Sequence, residues 1–224
     1  MQARGETTDA SVALSELCEA YYQPVLSFVR CSVRNDDLAR DLAQDFFARL
    51  LAQNRLGNVD PQRGKFRSYL LASVKNFLKD AHSHENAAKR NPGAPLVSLQ
   101  PDTTATTMEH QIPDPNVIAP EREFDRKWAL AILERALSSL EEEQAEAGKA
   151  QEFQILKPWL VGDASTQADA ARLLNASEGS VRVTIHRLRQ RFRGQVKEEI
   201  AATLHDPTPA LIAEEMQYLV SILT

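Results

Sequence analysis

The sequence predicts an all-α fold: two small helical domains joined by a Pro/Thr-rich linker, with a helix-turn-helix in the second and a helical extension at the C-terminus. Apolar residues recur at helical spacing over most of the chain, and 43% of its 224 residues are hydrophobic. Between residues 92 and 120 this spacing stops and prolines and threonines accumulate, which is typical of an extended linker. The segment Ser165–Arg193 has the pattern of two short helices around a tight turn. We therefore expect domains at 11–91 and 121–205, a linker at 92–120 and the extension at 206–224.

The first domain begins with a helix whose apolar pattern starts at Val12 and continues to Val29. Pro24 lies inside this pattern and is expected to interrupt or re-aim the helix, because proline lacks the amide hydrogen that an inner turn needs. Residues 1–10 show no periodic apolar pattern, and we expect them to be frayed.

The next helix is predicted from Leu38 to Gln53, with a cap at residues 35–37, Asn-Asp-Asp. Its apolar residues form a wide stripe that we expect to be buried. The stripe consists of Leu38, Leu42, Phe46, Phe47, Leu50 and Leu51. The polar face of the same helix carries Asp41, Gln44 and Asp45.

A third helix is predicted from Phe66 to Ala81, with apolar side chains inward and cations outside. The inward residues are Tyr69, Leu70, Val74, Phe77 and Leu78, and the cations are Lys65, Arg67, Lys75 and Lys79. Cations together with aromatic residues and Asn76 suit single-stranded or opened DNA, where bases stack on rings and are contacted at their edges. Core packing is the alternative for the aromatic residues. We interpret His82 and His84, which follow, as part of a basic loop rather than as metal ligands.

The second domain opens with a helix from Glu121 to Leu140, followed by an acidic run at 141–143 that we expect to be solvated. The inward face of this helix consists of Phe124, Trp128, Ile132, Leu133 and Leu137. Residues 152–160 predict a further apolar helix that is interrupted at Pro158. After Pro209 a last amphipathic helix is predicted, whose apolar stripe needs a cover. That stripe consists of Leu211, Ile212, Met216, Leu219, Val220 and Leu223.

The helix-turn-helix is predicted from its caps, its turn and its buried stripe. Thr166 or Ser165 is expected to cap the first helix, and Ser177 the second. Asn175 falls at the turn, where it tolerates the left-handed conformation better than most residues do. The second helix has a stripe for burial at Val181, Ile185, Leu188 and Phe192.

The remaining faces of that second helix are rich in arginine, and acids are nearly absent from residues 180–197. Arginine in this setting favours contact with phosphate and guanine, which predicts insertion into the major groove of DNA. An ordinary helical hairpin with a solvated basic face is the alternative.

Charge and composition limit the function classes. The net charge is −5 and the pI about 5.6, so the bases on two helices stand out against an acidic chain that leaves surface for a protein partner. No signal peptide or membrane-spanning run is recognisable, and we interpret Cys18 and Cys31 as buried thiols rather than a redox pair, so a cytoplasmic protein is expected. No Gly-rich phosphate loop, metal-ligand spacing or Ser-His-acid set is recognisable either. We therefore expect no enzymatic activity, no catalytic residue, no metal and no cofactor.

Two segments in this order resemble the group IV, or extracytoplasmic-function, sigma factors. ARDLAQDFFARLLAQ at Ala39–Gln53, followed by FRSYLLASVKNFLKD at Phe66–Asp80, is similar to the minus-ten domain of that family. ASEGSVRVTIHRLRQRFR at Ala176–Arg193 is similar to its minus-thirty-five domain. The resemblance covers residues 20–202. It implies a protein that binds core RNA polymerase, directs promoter recognition and helps to melt the promoter.

The resemblance also implies roles for individual residues. In the family the acidic helix docks on the beta-prime clamp helices of the polymerase, and the matching residues here are Asp41, Gln44 and Asp45. Asn76 matches a residue that helps to read a base flipped from the minus-ten element, and the implied minus-ten contacts are Arg67, Lys75, Asn76 and Lys79. The implied minus-thirty-five contacts on the recognition helix are Ser180, Arg182, Val183, His186, Arg187, Arg189 and Arg193. The implied partners are core RNA polymerase, through its clamp helices and its beta flap, and both double-stranded and melted promoter DNA.

Some questions stay open at this level. The insertion at 141–150, the long linker and the tail from Pro207 depart from the family, so regulation by an anti-sigma protein or by the C-terminal extension itself is an open expectation. A free-standing helix-turn-helix regulator is an alternative function that would bind a palindromic site without polymerase. An interaction adaptor with a vestigial helix-turn-helix is another, and it would show no salt-dependent binding to DNA.

Overall fold

The structure is a computed structural model that describes residues 20–33, 35–52, 65–90, 119–162, 166–204 and 206–224, without the side chains of 84–90. The regular structure in these ranges is helical and contains no strand, which confirms the predicted all-α class. The helices are α1 (20–33), α2 (Asp36–Ala52), α3 (Phe66–Arg90), α4 (Pro120–Glu146), α5 (Ala150–Leu156), α6 (Pro158–Val161), α7 (Gln167–Leu173), α8 (Glu178–Ala202) and α9 (Pro209–Leu223). Residues 1–19, which include Cys18, and residues 92–118 of the predicted linker lie outside the described ranges.

The chain divides into two units. The N-terminal unit is Pro24–Asp125, and the C-terminal unit is Arg126–Thr224 together with the residues up to Gln23. The division falls inside α4, so the opening residues Pro120–Asp125 of that helix belong to the N-terminal unit.

Helix α1 continues through Pro24, so an interruption there is wrong, and a change of helix direction at Pro24 stays a prediction. Proline removes one backbone hydrogen bond there, but the flanking side chains Tyr21, Val25 and Val29 are almost completely buried and hold the segment in the helix. Cys31, near the end of α1, is only partly buried, and that burial, with a smaller effect from the carboxylate of Glu123, raises the pKa of its thiol.

Helix α2 has the predicted cap, because the Leu38 amide donates to Oδ1 of Asn35 at 3.0 Å. Its buried stripe differs from the predicted one. Leu38 and Leu51 lie at opposite edges of the predicted stripe and are 43% and 45% exposed, and the centre of the buried stripe lies only about 20° from the predicted centre. The buried stripe consists of Ala39, Ala43, Phe46, Phe47 and Leu50. The small alanines occupy the position of closest approach, which leaves the terminal leucines outside.

Helix α3 is longer than predicted and ends at Arg90 rather than at Ala81. His82 and His84 therefore lie on a helix and not in a loop, consistent with the good helix formers Glu, Ala, Lys and Arg in residues 84–90. Leu70, Val74 and Phe77 are buried as expected. Arg67 was predicted on the outside but is 8% exposed, because its guanidinium has a buried carboxylate partner.

Helix α4 continues through the acidic run that was predicted to be solvated, and two of its glutamates bind other helices. Glu141 accepts hydrogen bonds from Gln154 of α5, at 2.5 Å, and from Lys157, at 2.7 Å. Glu143 pairs with Arg191 of α8. The turn after α4 uses Gly148 at φ 71°, a left-handed conformation that glycine adopts without strain. The insertion at 141–150 thus extends α4 and joins it to α5.

The helix-turn-helix consists of α7 and α8, and its local details match the sequence. The hydroxyl of Thr166 accepts from the Asp169 amide at 3.3 Å, and that of Ser177 accepts from the Ser180 amide at 3.2 Å. Asn175 has φ 49°, as its place in the turn predicted. One core cluster supports both helices, with Phe192 packed at its edge. Its members are Leu140, Phe153, Leu156, Trp159, Ala170, Ala171, Val181, Ile185 and Leu188.

Helix α9 packs against α8, so a large part of the cover that its apolar stripe requires comes from its own unit. Leu219 is 3% exposed, and the ring of Tyr218 lies 6.4 Å from that of Trp128 on α4, measured between centroids. Leu219 is the one buried residue of the predicted stripe, while Val220, Leu223 and Leu211 remain 53%, 39% and 36% exposed. The tail is therefore an integral helix of the C-terminal unit.

Candidate nucleic-acid interface

The polar face of α2 is exposed along its predicted residues, Asp41, Gln44 and Asp45. The carboxylate of Asp45 lies 3.2 Å from Nη2 of Arg49, one turn further along. The exposed Leu38 lies on the same side of the helix as the two aspartates, by the rotation of about 100° per residue. The face therefore combines carboxylates with an apolar side chain, a mixture that fits a basic protein partner.

A cavity of about 160 Å³ lies between α2 and α3. It is lined by ring faces and by polar side chains from both helices: Phe46, Arg49, Leu50, Tyr69, Ser73, Asn76, Phe77 and Asp80. The rings of Phe46 and Phe77 meet edge to face with centroids 5.6 Å apart. Arg49 Cζ lies 5.1 Å from the Phe77 centroid.

The chemistry of this cavity suits a planar heterocycle. The partly exposed ring of Tyr69 and the guanidinium of Arg49 offer stacking surface, while an amide, a hydroxyl and a carboxylate offer donors and acceptors to the edge of a base. Asn76, for which contact with a flipped base was predicted, is exposed and lines this cavity.

Two of the α3 cations predicted to contact DNA are paired with carboxylates of α4 within the N-terminal unit. Nη1 of Arg67 lies 2.5 Å from Asp125, and both side chains are largely buried. Nζ of Lys75 lies 2.8 Å from Glu121, and both side chains are about two-fifths exposed. The hydrogen bond from Lys75 holds the pKa of the Glu121 carboxyl below its ordinary value.

The paired and unpaired positions of α3 differ in what they offer to DNA. Arg67 would reach a phosphate only if its pair with Asp125 opened, whereas Lys75 is accessible beside Glu121. Lys79 is exposed one turn beyond Lys75. The predicted minus-ten contacts of these residues stay predictions.

Helix α8, the predicted recognition helix, exposes every residue that was predicted to contact DNA: Ser180, Arg182, Val183, His186, Arg187, Arg189 and Arg193. Arg182 Nε donates to Oε1 of Gln167 on α7 at 3.4 Å, which orients the guanidinium across the two helices. The His186 ring shares a 3.1 Å hydrogen bond with Gln190. Val183 is 49% exposed, so an apolar group stands among the polar ones.

Arg189 differs from the other arginines of this predicted set. Its Nε and Nη2 both donate to the carbonyl oxygen of Trp159 on α6, at 3.2 and 3.1 Å. Arg191, which was not in the set, pairs with Glu143 of α4. The guanidinium groups of Arg189 and Arg191 are therefore both bound by atoms of the C-terminal unit.

Spacing alone could have identified some residues that the sequence reasoning missed. Ser73 and Asp80 lie three residues before and four after Asn76, and therefore on the same face of α3. The α4 carboxylates Glu121 and Asp125 gave no such signal, since Asp125 lies 58 residues from the Arg67 that it binds.

Comparison with known families gives one match. Residues 17–87 match the family model described as Sigma-70 region 2, a segment that includes α1, α2 and most of α3. No curated protein and no solved structure matches the chain significantly. The region 2 match supports a sigma factor, a class of non-enzymatic transcription regulators.

Proteins of this class share a general function. Sigma factors bind core RNA polymerase and promoter DNA, and their region 2 takes part in melting the promoter at transcription initiation. The cavity, the acidic face of α2 and most of the α3 cations all lie within the matched segment. Helices α7 and α8 lie outside it.

Within the described ranges, no helix is long and apolar enough to cross a membrane. The same residues contain no cluster of three or more His, Cys, Asp and Glu side chains that could hold a metal ion.

Proposed function

We propose that this protein is a sigma factor of group IV, the extracytoplasmic-function type, with a minus-ten domain at 11–91 and a minus-thirty-five domain at 121–205. The observation that carries this proposal is the cavity beside Asn76, which lies between a carboxylate-bearing helix and a cationic one in the segment that matches region 2. One small unit thus offers a docking face for a polymerase and a pocket for a base.

Docking of core polymerase is assigned to Asp41, Gln44 and Asp45 of α2, against the beta-prime clamp helices. Exposed carboxylates attract a basic surface over a distance, which speeds encounter, and the exposed Leu38 supplies apolar contact once the surfaces meet. The beta flap is a further contact of the polymerase in this proposal.

Minus-ten recognition is assigned to the cavity and to the cations beside it. A flipped base would stack against the aromatic lining, with the Asn76 amide at its edge. Lys75 and Lys79 would neutralise backbone phosphates next to the cavity. Asp80 and Ser73 are additional polar groups at the edge of the bound base.

Minus-thirty-five recognition is assigned to α8, whose outer face carries Arg182, Val183, His186 and Arg187. A guanidinium that reaches a guanine edge is worth roughly 1–3 kcal/mol of discrimination, and Val183 can pack on a thymine methyl. The exposure of all four side chains supports this assignment.

Reconstituted run-off transcription tests the proposal. Core RNA polymerase with the full chain should initiate at a subset of promoters in a fragmented genomic template, and start-site mapping should give two shared upstream elements. Tight, polymerase-independent binding to a palindromic site, without initiation, would instead identify a free-standing helix-turn-helix regulator.

Two kinds of regulation are considered in this proposal: control by the C-terminal extension and control by a separate protein. Helix α9 is packed onto α8 in its own unit, which makes it a structural element first. Control by a separate anti-sigma protein is compatible with the exposed faces of α2 and α8.

A further inference from the structure

We propose that Arg189 and Arg191 are positioning residues that fix the rotation of the recognition helix, and that neither is a phosphate ligand. This inference rests on the proposed minus-thirty-five function of α8. It corrects the role that the arginine-rich sequence gave to Arg189, and it assigns a role to Arg191.

The two contacts lie on opposite flanks of the helix. With 3.6 residues per turn, the side chains of Arg182, Val183, His186 and Arg187 spread over about 140° of the helix surface. Arg189 lies at one edge of this arc, about 20° beyond Arg182, and Arg191 lies about 40° beyond Arg187 at the other edge. Arg189 binds α6 on one flank, and Arg191 binds α4 on the other. Contacts on both flanks add directional resistance to rotation of the helix about its axis, beyond the resistance that comes from keeping its apolar stripe buried.

The acceptor that Arg189 uses needs a partner. The carbonyl of Trp159 belongs to α6, a helix of only four residues, and carbonyls in the last turn of a helix take donors from outside the regular helical pattern. Trp159 is itself 8% exposed and part of the core cluster that supports α7 and α8. Two N–H groups of one planar guanidinium converge on this oxygen, a geometry that lysine cannot reproduce.

The second flank is held by a longer set of contacts. Glu143 of α4 pairs with Arg191 and also accepts from Gln195, one turn further along α8, at 3.4 Å. Near the other end of the same helix pair, Arg135 Nε lies 2.7 Å from Glu199. Arg191 is thus the member of this row that lies nearest to the DNA-facing part of α8.

The test uses the full chain bound to core RNA polymerase and the duplex that this complex enriches from a pool randomised over one helical turn. The affinity for this duplex is measured at several salt concentrations. The specificity ratio is the affinity for this duplex divided by the affinity for unselected duplex. A lost phosphate contact reduces the slope of log K against log salt by about 0.9. Arg187→Gln is the reference for a residue that faces DNA.

We expect Arg189→Gln to keep the wild-type salt slope while the specificity ratio falls about tenfold, as for one misplaced base contact. Arg189→Lys should behave like Arg189→Gln, because the charge is kept but the two-donor contact is lost. A slope reduced by about 0.9 in Arg189→Gln, with near-normal binding by Arg189→Lys, would identify a phosphate ligand and overturn the inference.

Glu143→Gln tests the other flank without changing an arginine. Removing a negative charge should by itself strengthen binding to selected and unselected duplex alike and leave their ratio unchanged, so a fall in the specificity ratio cannot be a charge effect. Glu142→Gln, an exposed neighbour on α4, is the charge-matched control. Equal behaviour of the two variants would contradict the inference.

The proposed function and this inference fail in different ways. If the complex that contains the wild-type chain enriches no duplex and shows no salt-dependent binding, the DNA-binding function of α8 is wrong, and the inference is wrong with it. If the wild type binds and Arg187→Gln alters the slope, only the Arg189 and Glu143 variants decide the inference. Circular dichroism of each variant separates misfolding from rotation, and a fully folded Arg189→Gln with wild-type specificity also overturns it.

Discussion

The cationic surface of α3 and the recognition helix α8 contain the same residue types but use them differently. On α3, Arg67 and Lys75 are bound by carboxylates of α4. On α8, Arg182, Arg187 and Arg193 are exposed, although Arg182 also donates to Gln167 of α7, and the arginines that bind α4 and α6 lie on the flanks. The cations of a basic helix are therefore not equally available to DNA, because some are bound by an acceptor of the protein and others are not.

The difference has a physical origin. A guanidinium near a buried face must be paired, since leaving it unpaired away from water costs several kcal/mol. Arg67 lies next to the buried face of α3 and takes Asp125 as its partner. The outer arginines of α8 keep their hydration and can exchange it for phosphate or base contacts.

The largest effect is expected from Asp125→Asn, which leaves the buried Arg67 without its carboxylate. Loss of one partner of a buried pair should lower the free energy of unfolding by about 3 kcal/mol. Asp45→Asn, which breaks the exposed pair with Arg49, should cost less than about 1 kcal/mol. Urea titrations of both variants measure the difference, and equal losses would show that α3 does not depend on the buried pair.

The next largest effect is expected from the exposed side chains of α8. Arg182→Ala combined with His186→Ala should lower affinity for the upstream promoter element about 10–100-fold, because contacts to base edges are lost. Footprinting of the polymerase complex should show the upstream element unprotected and the minus-ten region unchanged. If the variant gives a normal footprint at the upstream element, α8 is not the recognition helix.

A smaller effect is expected from Glu121→Gln, which frees Lys75. Affinity for a single-stranded oligonucleotide should rise a few-fold, as expected when about one more cation becomes available to phosphate. Glu134→Gln, at an exposed position further along α4, controls for the change in net charge. If both variants bind equally, the Glu121 carboxylate does not compete with DNA.

The smallest effect is the pH dependence of the Lys75–Glu121 pair. The pKa of Glu121 is lowered in the folded protein, so the stabilisation is present above the ordinary value of 4.5 and is lost as pH falls through the lowered value. Wild type should be slightly more stable than Glu121→Gln at neutral pH, and the difference should vanish once the pH falls below the lowered pKa of Glu121. A difference that persists in acid would assign the effect to packing instead.

The features that the sequence predicted correctly are local. Caps at Thr166 and Ser177 and the turn at Asn175 depend on contacts within a few residues, and helical period placed most of the core. The partners of Arg67 and Arg189 could not be predicted in this way, because they lie 58 and 30 residues away along the chain. Leu38 was predicted to be buried but is exposed, because the spacing of apolar residues does not show which edge of a wide stripe faces the neighbouring helices.

The candidate site shows the same limit. Residue type and spacing predicted which side chains of α2, α3 and α8 carry chemistry, and most of them are exposed. Neither predicts a cavity, because its walls come from two different helices, α2 and α3.

Binding to core RNA polymerase is the property on which the proposed function depends most. Purified full chain should form a complex with core polymerase that survives gel filtration, and Asp45→Arg should weaken it at least tenfold by placing a cation against a basic surface. Glu142→Arg, a charge reversal on α4, should leave the complex intact. A wild-type chain that does not associate with core polymerase, or an Asp45→Arg variant that binds as tightly as wild type, would contradict the proposed docking of α2.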